Sequence, residues 1–272
     1  MTAVVHGASG AATVVGSRAT APVRMLCFPH TGGRASAYAR WARGLSADVE
    51  VHSHDYPGRY RRAGEPMVVD AATLLADAAR SARRLADQPL VLFGHSMGGW
   101  VAFETARRLE SDGFCVAGVI VSAARPPGAP VRRERIGYED DEALTRRVRA
   151  WGGIDESLLA DPSFRAAVFP YIRADLAVTD DYQGGCGRVR APLLALAGRD
   201  DLTVPSTEVA GWRECSEDWR GVHVMPGAHF YTVTAEAAVL RLVRHHCRRF
   251  AEEFPGRATD PTKGGPWPAS SL

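Results

Sequence analysis

The chain of 272 residues has little of what marks membrane, secreted or nucleic-acid-binding proteins. It has no run of about 18 consecutive apolar residues, which excludes a membrane-spanning helix. Its N-terminus lacks a basic start followed by an apolar stretch, so we predict no secretory signal. The 33 basic residues nearly balance the 31 acidic ones, so we expect neither nucleic acid nor a membrane surface as a partner.

Cysteine and lysine are also scarce. The five cysteines lie far apart, at Cys27, Cys115, Cys186, Cys215 and Cys247. No two of them have the close spacing of a metal knuckle, so we predict that the protein has no metal site and no resident cofactor. We also expect the thiols to be reduced, as in a cytoplasmic protein. Lys263 is the one lysine among the 33 basic residues, and the arginines are spread over predicted helix faces. We interpret that bias as a property of a GC-rich genome rather than of a site.

What the chain does contain is an alternation of short apolar runs and amphipathic segments. The apolar runs predict buried strands at 23–28, 49–54, 90–93, 115–121, 193–197 and 222–225. The segments between them predict helices at 35–45, 70–85, 97–109, 206–215 and 235–250. Continuous apolar strands alternating with helices are typical of an α/β fold with a mostly parallel sheet covered on both faces.

Three stretches interrupt this alternation. Residues 125–189 hold helix signals and no strand, so we predict a helical insertion there, with Asp161-Pro162 starting one helix and Pro170 breaking or restarting it. Residues 1–21 are expected to form a flexible tail with a short strand at 12–15. Residues 254–272 are rich in proline and glycine and predict a disordered tail. One domain over 22–253 follows.

The strongest chemical signal is the sequence LVLFGHSMGG at 90–99. An apolar strand leads directly into G-x-S-x-G and then into a helix, the context in which such a serine becomes a nucleophile. Gly94 and Gly98 leave room for the neighbouring strand and helix, and the turn lifts the Ser96 hydroxyl above the sheet. The N–H of Met97 then points to where an oxyanion would form.

A serine nucleophile needs a histidine base and an acid that orients it. His229 lies on the loop after the last predicted strand and is our candidate base. We expect His245 and His246 to be solvated and His223 to lie within a strand. The acid is Asp200 or Asp201, after the strand at 193–197, and the pattern G-x-x-D-x-x-V favours Asp201.

A second oxyanion donor is expected from the loop after the first apolar strand. Its sequence is PHTGG, and the glycines let backbone approach a substrate, so the N–H of Thr31 is the candidate partner of Met97. His30 in the same loop is interpreted as a bracing residue. The loop lacks the lysine and glycine spacing of a P-loop, which argues against a phosphate cradle.

Taken together, seven motifs resemble the type II thioesterases that accompany polyketide and nonribosomal peptide synthetases. They are FPHTGG at 28–33, YPGR at 56–59, GHSMGG at 94–99, GGIDESLLADP at 152–162, YIRADLAVTDDY at 171–182, GRDDLTV at 198–204 and PGAHF at 226–230. Integrated terminal thioesterases are also similar but typically carry the acid after the strand that follows the elbow helix. This chain has Ala123 and Ala124 there.

The resemblance implies an α/β-hydrolase fold with a helical lid, and hydrolysis of aberrant or stalled acyl groups from phosphopantetheine thiols of acyl or peptidyl carrier proteins. By position it makes Ser96 the nucleophile, Asp201 the acid and His229 the base, with Thr31 and Met97 as oxyanion donors. Candidate residues of the acyl chamber are Trp151, Phe164, Phe169 and Tyr171. The charged stretch at 132–135 is a candidate carrier-docking segment, and we expect a monomer. An esterase or acyltransferase of the same fold and a non-catalytic carrier-protein binder are the alternatives.

Overall fold

A computed structural model describes residues 12–16, 21–45, 47–129, 140–185 and 187–254, for 12–16 the backbone alone. Most of the predicted N-terminal tail, almost all of the predicted C-terminal tail and the candidate docking segment at 132–135 lie outside the described residues. The short strand expected at 12–15 is confirmed and spans Ala12–Gly16. Within the described ranges, no helix combines the length and the apolar character needed to cross a bilayer.

The centre of the fold is a seven-stranded sheet with the order β1-β3-β2-β4-β5-β6-β7. Its strands are β1 Ala12–Gly16, β2 Val23–Phe28, β3 Val49–His54, β4 Leu90–His95, β5 Gly118–Ser122, β6 Val189–Gly198 and β7 Ser216–Met225. All neighbouring pairs are parallel except β1 with β3, which is antiparallel. The predicted α/β fold with a mostly parallel sheet is confirmed.

Helices cover both faces of this sheet. They are α1 Ala39–Leu45, α2 Ala71–Arg83, α3 Met97–Ser111, α4 Asp141–Trp151, α5 Glu156–Ala160, α6 Pro162–Asp181, α7 Ser206–Val209, α8 Tyr231–Thr234 and α9 Glu236–Glu253. Leu92 of β4 belongs to the apolar cluster beneath α2 and α3, whereas Val91 and Phe93 belong to the cluster beneath α1 and α9. Alternate residues of one strand therefore enter two cores, which explains the continuous apolar run.

Two strands begin several residues earlier than predicted. The sequence predicts strands at 193–197 and 222–225, but β6 begins at Val189 and β7 at Ser216. Most of β7 is only half-buried, because it is the last strand of the sheet. An edge strand mixes polar with apolar residues, so the apolar pattern indicates only the end of β7 that holds Val222, Val224 and Met225.

Between β5 and β6 the chain forms α4, α5 and α6, which we call the lid helices. As predicted, Asp161 caps α6 by accepting the Ser163 N–H, and Pro162 occupies the first turn. The lid helices have their own apolar cluster, which includes Leu144, Leu159 and Phe169. The lid is therefore packed as a small unit on top of the sheet.

The expectation that Pro170 ends or restarts a helix is wrong. Helix α6 runs through Pro170 from Pro162 to Asp181. Proline removes one helical hydrogen bond and crowds the preceding turn. Here Phe169 before it and Ile172 after it are both buried in the lid cluster, and this packing holds the helix together.

We expect Pro170→Ala to stabilise the lid. Alanine restores the backbone donor within α6, and an interior proline costs about 3 kcal/mol in an isolated helix. Because the packing of Phe169 and Ile172 offsets part of this cost, a gain of about 1 kcal/mol is expected, raising the melting temperature by about 2–4 °C. Thermal unfolding checks this. A lower melting temperature would show that the proline ring itself is needed for packing.

Candidate active site

The turn at Ser96 is forced by crowding between backbone segments. Ser96 links β4 to α3 with φ 55° and ψ −121°, a conformation that non-glycine residues rarely adopt. A Cβ on Gly94 would lie 1.7 Å from the carbonyl oxygen of Gly98, and one on Gly98 would lie 2.1 Å from that of Phe28. Both elbow glycines therefore occupy positions where no side chain fits.

Ser96, His229 and Asp201 form a hydrogen-bonded row. His229 Nε2 lies 3.1 Å from Ser96 Oγ, and His229 Nδ1 lies 2.8 Å from Asp201 Oδ2. The carboxylate can only accept, so Nδ1 carries the proton and Nε2 is left free to accept the proton of the serine hydroxyl. This geometry is suited to general-base activation of Ser96.

Asp201 is held as an ionised acceptor. Its second oxygen accepts the backbone N–H groups of Thr203 at 2.8 Å and Val204 at 3.0 Å. Burial tends to raise the pKa of Asp201, but the hydrogen bond and charge of His229, together with these two N–H groups, bring that pKa below its ordinary value. The carboxylate is therefore fixed in position and in charge.

Of the two candidate acids, only Asp201 reaches the histidine. Asp201 is buried, as is Val204, the residue expected to anchor the loop. Asp200 is exposed, and its backbone N–H binds the carbonyl of Gly227 at 3.0 Å. Asp200 thus ties the acid loop to the histidine loop through its backbone, while its side chain is exposed.

A cavity of about 550 Å³ opens above Ser96. Thr31, Met97 and His229 line it together with Ser96, so both candidate oxyanion donors border the space next to the hydroxyl. The N–H of Met97 is the first of α3 and has no partner within the helix, which leaves it available to an oxyanion.

The predicted chamber residues are only partly placed in this cavity. Trp151 lines it, but Phe164, Phe169 and Tyr171 do not. Phe169 faces the apolar cluster of the lid, and Tyr171 packs against the ring of Tyr60 at 5.3 Å. The prediction is therefore wrong for Phe164, Phe169 and Tyr171, and Phe169 instead fills the interior of the lid.

The sequence reasoning missed an aromatic wall of the cavity. Trp100 and Tyr182 both line it, with their rings stacked 4.1 Å apart at an interplanar angle of 11°. Tyr182 also donates from its hydroxyl to Glu104 at 2.7 Å. Trp100 follows Ser96 by four residues and so lies on the same face of α3, a spacing that could have identified it.

Two further histidines lie near the row. His95 is buried, and its Nδ1 is 2.9 Å from Ser122 Oγ. His30, expected to brace its loop, packs edge-on against Phe230 at 5.0 Å. Burial, together with the nearby His229, lowers the pKa of His30 to about 4 and that of His95 well below its ordinary value.

The three other histidines weighed as bases, His223, His245 and His246, do not line the cavity. His223 is in β7 as expected, and His245 is exposed. The expectation that His246 is solvated is wrong, because it is buried against Phe250. The side of α9 that carries it turns toward the sheet.

The fold and the geometry of the site together identify the class of protein. A strained serine between a central strand and a helix, with histidine and aspartate on later loops in that sheet, is the arrangement of the α/β-hydrolase fold. The model of the Thioesterase domain family matches residues 23–247. The chain therefore belongs to the thioesterase family.

The chain is similar in sequence to other thioesterases and to part of a larger synthetase. The chain is 36% identical over 214 residues to the thioesterase PikA5 of Streptomyces venezuelae, covering 77% of this chain and 75% of that protein. It is 35% identical over 212 residues to a probable cadicidin biosynthesis thioesterase of Streptomyces griseus, covering 77% of this chain. The chain spans only 58% of that second relative, and 11% of the antimetabolite synthetase AmbE of Pseudomonas aeruginosa.

Solved structures show the same likeness. The type II thioesterase BorB from the borrelidin biosynthetic cluster superposes with a TM-score of 0.81 at 30% identity, covering 90% of this chain and 100% of that one. YbtT, a type II thioesterase from the yersiniabactin pathway, gives a TM-score of 0.79 at 27% identity, covering 89% and 99%. The resemblance to type II thioesterases is thus confirmed.

The two aspartates can be separated by matched substitutions. Asp201→Asn removes the charge that holds the His229 tautomer, so we expect kcat for an acyl thioester to fall by roughly 10³–10⁴. Asp200→Asn, an exposed change in the same turn, should leave kcat within about twofold. Steady-state kinetics of the two variants check this. A large loss of kcat in Asp200→Asn together with a normal kcat in Asp201→Asn would contradict the assignment.

Because burial lowers the pKa of His95, we expect the free energy of unfolding to decrease at acidic pH. An unfolded histidine takes up a proton below about pH 6.5, whereas folded His95 does so only at much lower pH. Between these values the unfolded chain binds more protons, so stability falls with decreasing pH by up to about 1.4 kcal/mol per pH unit for each such histidine. Urea unfolding between pH 7 and pH 5 measures this slope. His95→Gln should flatten the slope, and a slope equal to that of the unmodified protein would contradict the prediction.

Proposed function

We propose that the protein is a thioesterase that hydrolyses acyl groups from the phosphopantetheine thiols of carrier proteins. The observation that carries the proposal is the hydrogen-bonded row of Ser96, His229 and Asp201 opening into the cavity. Membership of the thioesterase family supports a thioester as the bond that is broken. The chemistry requires no cofactor of the protein's own, since the thiol that carries the acyl group arrives with the partner.

In the first half of the reaction, Ser96 Oγ attacks the thioester carbonyl while His229 Nε2 takes its proton. Asp201 holds the imidazole in the productive tautomer and stabilises the imidazolium. The C–S bond then breaks, and the imidazolium returns the proton to the departing thiolate. The acyl group is left as an ester on Ser96.

The negative charge that forms on the carbonyl oxygen needs donors fixed in advance. The N–H groups of Thr31 and Met97 are the proposed donors, and loss of one such donor typically costs about 10²–10³ in rate. Backbone donors at the start of a helix and in a tight turn need no reorganisation when charge appears. This prior alignment supports a large share of the rate enhancement.

The second half repeats the same steps with water. His229 removes a proton from water, which attacks the Ser96 ester, and the same donors hold the oxyanion. Collapse releases the carboxylic acid, and the proton on His229 returns to Ser96 Oγ. One water is consumed, and the products are a free acid and a free thiol.

The biological setting is an editing role in polyketide or nonribosomal peptide biosynthesis. Type II thioesterases such as BorB and YbtT come from such pathways and support this assignment. Acyl or peptidyl carrier proteins are the proposed partners.

The editing role is tested by measuring hydrolysis rates on carrier proteins loaded with short stalled chains and on carrier proteins loaded with full-length chains. An editing enzyme is expected to hydrolyse the short chains faster. A preference for the full-length product would contradict editing.

The nucleophile is tested by Ser96→Ala with Ser111→Ala as its matched control. Ser111 is exposed at the far end of the same helix. We expect the first change to lower kcat for acyl-N-acetylcysteamine hydrolysis by about 10⁶, with the fold intact, because no other group on this turn can form the acyl ester. The control should match the unmodified protein. Retained turnover in Ser96→Ala would contradict the assignment.

The leaving group is tested separately. A Ser-His-Asp row attacks oxygen esters as well as thioesters, so the row alone does not fix the substrate class. Kinetics on an oxygen ester and a thioester with the same acyl group are expected to give the higher kcat/KM for the thioester. A clear preference for the oxygen ester would assign the protein to the esterases of this fold.

A further inference from the structure

A buried ion pair joins the lid to the core of the site. Arg59, in the loop after β3, donates from Nη1 to Asp175 Oδ2 at 2.7 Å and from Nη2 to Oδ1 at 2.5 Å. Asp175 lies on α6, 116 residues further along the chain. Each side chain is about 2% exposed. Two parallel bonds from a planar guanidinium fix the plane of the carboxylate as well as its position.

The same carboxylate binds the loop that carries Thr31. Asp175 Oδ2 accepts the backbone N–H of Gly32 at 2.7 Å. Gly32 has φ +73°, and a Cβ there would lie 2.7 Å from Cγ1 of Ile172 on the same lid helix. Helix α6 thus packs directly on this loop, and glycine alone combines the close approach with the left-handed backbone.

The bond to Asp175 selects one of two turn conformations. The N–H of Gly33 binds the carbonyl of His30 at 2.8 Å, which closes a four-residue turn. Gly32 is its third residue and has a positive φ, whereas Thr31 is not among the non-glycine residues with positive φ in the described chain. This is a type II turn, which differs from type I by rotation of the central peptide. That peptide joins the Thr31 carbonyl to the Gly32 N–H, so the carboxylate that accepts the Gly32 N–H fixes the peptide that follows Thr31.

We propose that Asp175 is a positioning residue: its carboxylate, oriented by Arg59, holds the Gly32 peptide and through it the backbone position of Thr31, so that the Thr31 N–H is placed for the reacting carbonyl. The inference rests on the proposed function, in which Thr31 is an oxyanion donor. It makes completion of the oxyanion hole depend on the lid. When α6 is seated the turn is fixed, and when α6 moves the turn loses the bond that selects its conformation.

The chain supplies a matched control for this interaction. Asp181, on the same helix, also accepts a backbone N–H from another part of the fold, that of Ala71 at 2.9 Å. Asp181 is exposed at the far end of α6 and does not line the cavity. Asp175→Asn and Asp181→Asn therefore remove the same charge from the same helix, and only the first touches the Thr31 turn.

Two rates are to be measured for each variant. One is kcat with KM for an acyl-N-acetylcysteamine thioester, and the other is the second-order rate constant for phosphonylation of Ser96 by a fluorophosphonate. Phosphonylation also develops charge on an oxygen in the hole, but it needs no thioester. We expect Asp175→Asn to lower both rates by about tenfold with KM within about twofold, since a donor is displaced but not removed. Asp181→Asn should leave both rates within about twofold.

Removing one partner of a buried ion pair can also unfold the protein, which would lower both rates for a different reason. A second variant therefore separates a loss of stability from a loss of positioning. Arg59→Met with Asp175→Leu replaces both charges by apolar side chains of similar size, which restores folding in comparable cases. It cannot restore the bond to Gly32. We expect its melting temperature to be near that of the unmodified protein and its two rates to fall by about 100-fold.

Two results would overturn the proposal: unmodified rates in the double variant, or equal losses in Asp175→Asn and Asp181→Asn. If the unmodified protein is phosphonylated but hydrolyses no thioester, the proposed function fails, and the phosphonylation rates still decide the role of Asp175. An unmodified protein that reacts with neither reagent would overturn both.

Discussion

The active site depends on one crowded crossing of backbone segments. At the elbow, the carbonyl oxygen of Gly98 lies where a Cβ of Gly94 would be, and that of Phe28 lies where a Cβ of Gly98 would be. The chain can pass from β4 to α3 in this space only through a tight turn, which places Ser96 at φ 55°. This turn puts the hydroxyl and the first helical N–H side by side. The strain is held by the central strands on either side.

The parallel sheet brings the other groups to the same edge. His95 is in register with Ser122, and Gly198 with Met225, so the loops that follow these strands meet above Ser96. The N–H of Arg199 binds the carbonyl of Met225 at 2.8 Å, which joins the loop of Asp201 to the loop of His229. The lid adds the remaining wall of the cavity and, in our proposal, the bond that holds the Thr31 turn.

The sequence was sufficient to predict much of the site because its signals are local. The elbow is contiguous in the chain, and His229 and Asp201 each follow a strand that is apolar enough to recognise. Other features depend on contacts between distant residues. No local sequence pattern indicates that Arg59 binds Asp175, because 116 residues separate them and the chain contains many other arginines. Whether Phe169 faces the cavity or the lid core is likewise decided by how three helices pack, which periodicity within one helix does not determine.

The most direct test of the account is to trap the acyl group on the enzyme. The protein is mixed with an acyl-phosphopantetheine thioester, quenched in acid within the first turnovers, digested and examined by mass spectrometry. We predict that the mass of the acyl group appears on the peptide containing Ser96 and is absent from the Ser96→Ala variant. Thioester hydrolysis accompanied by an acyl group on a different residue would contradict the account.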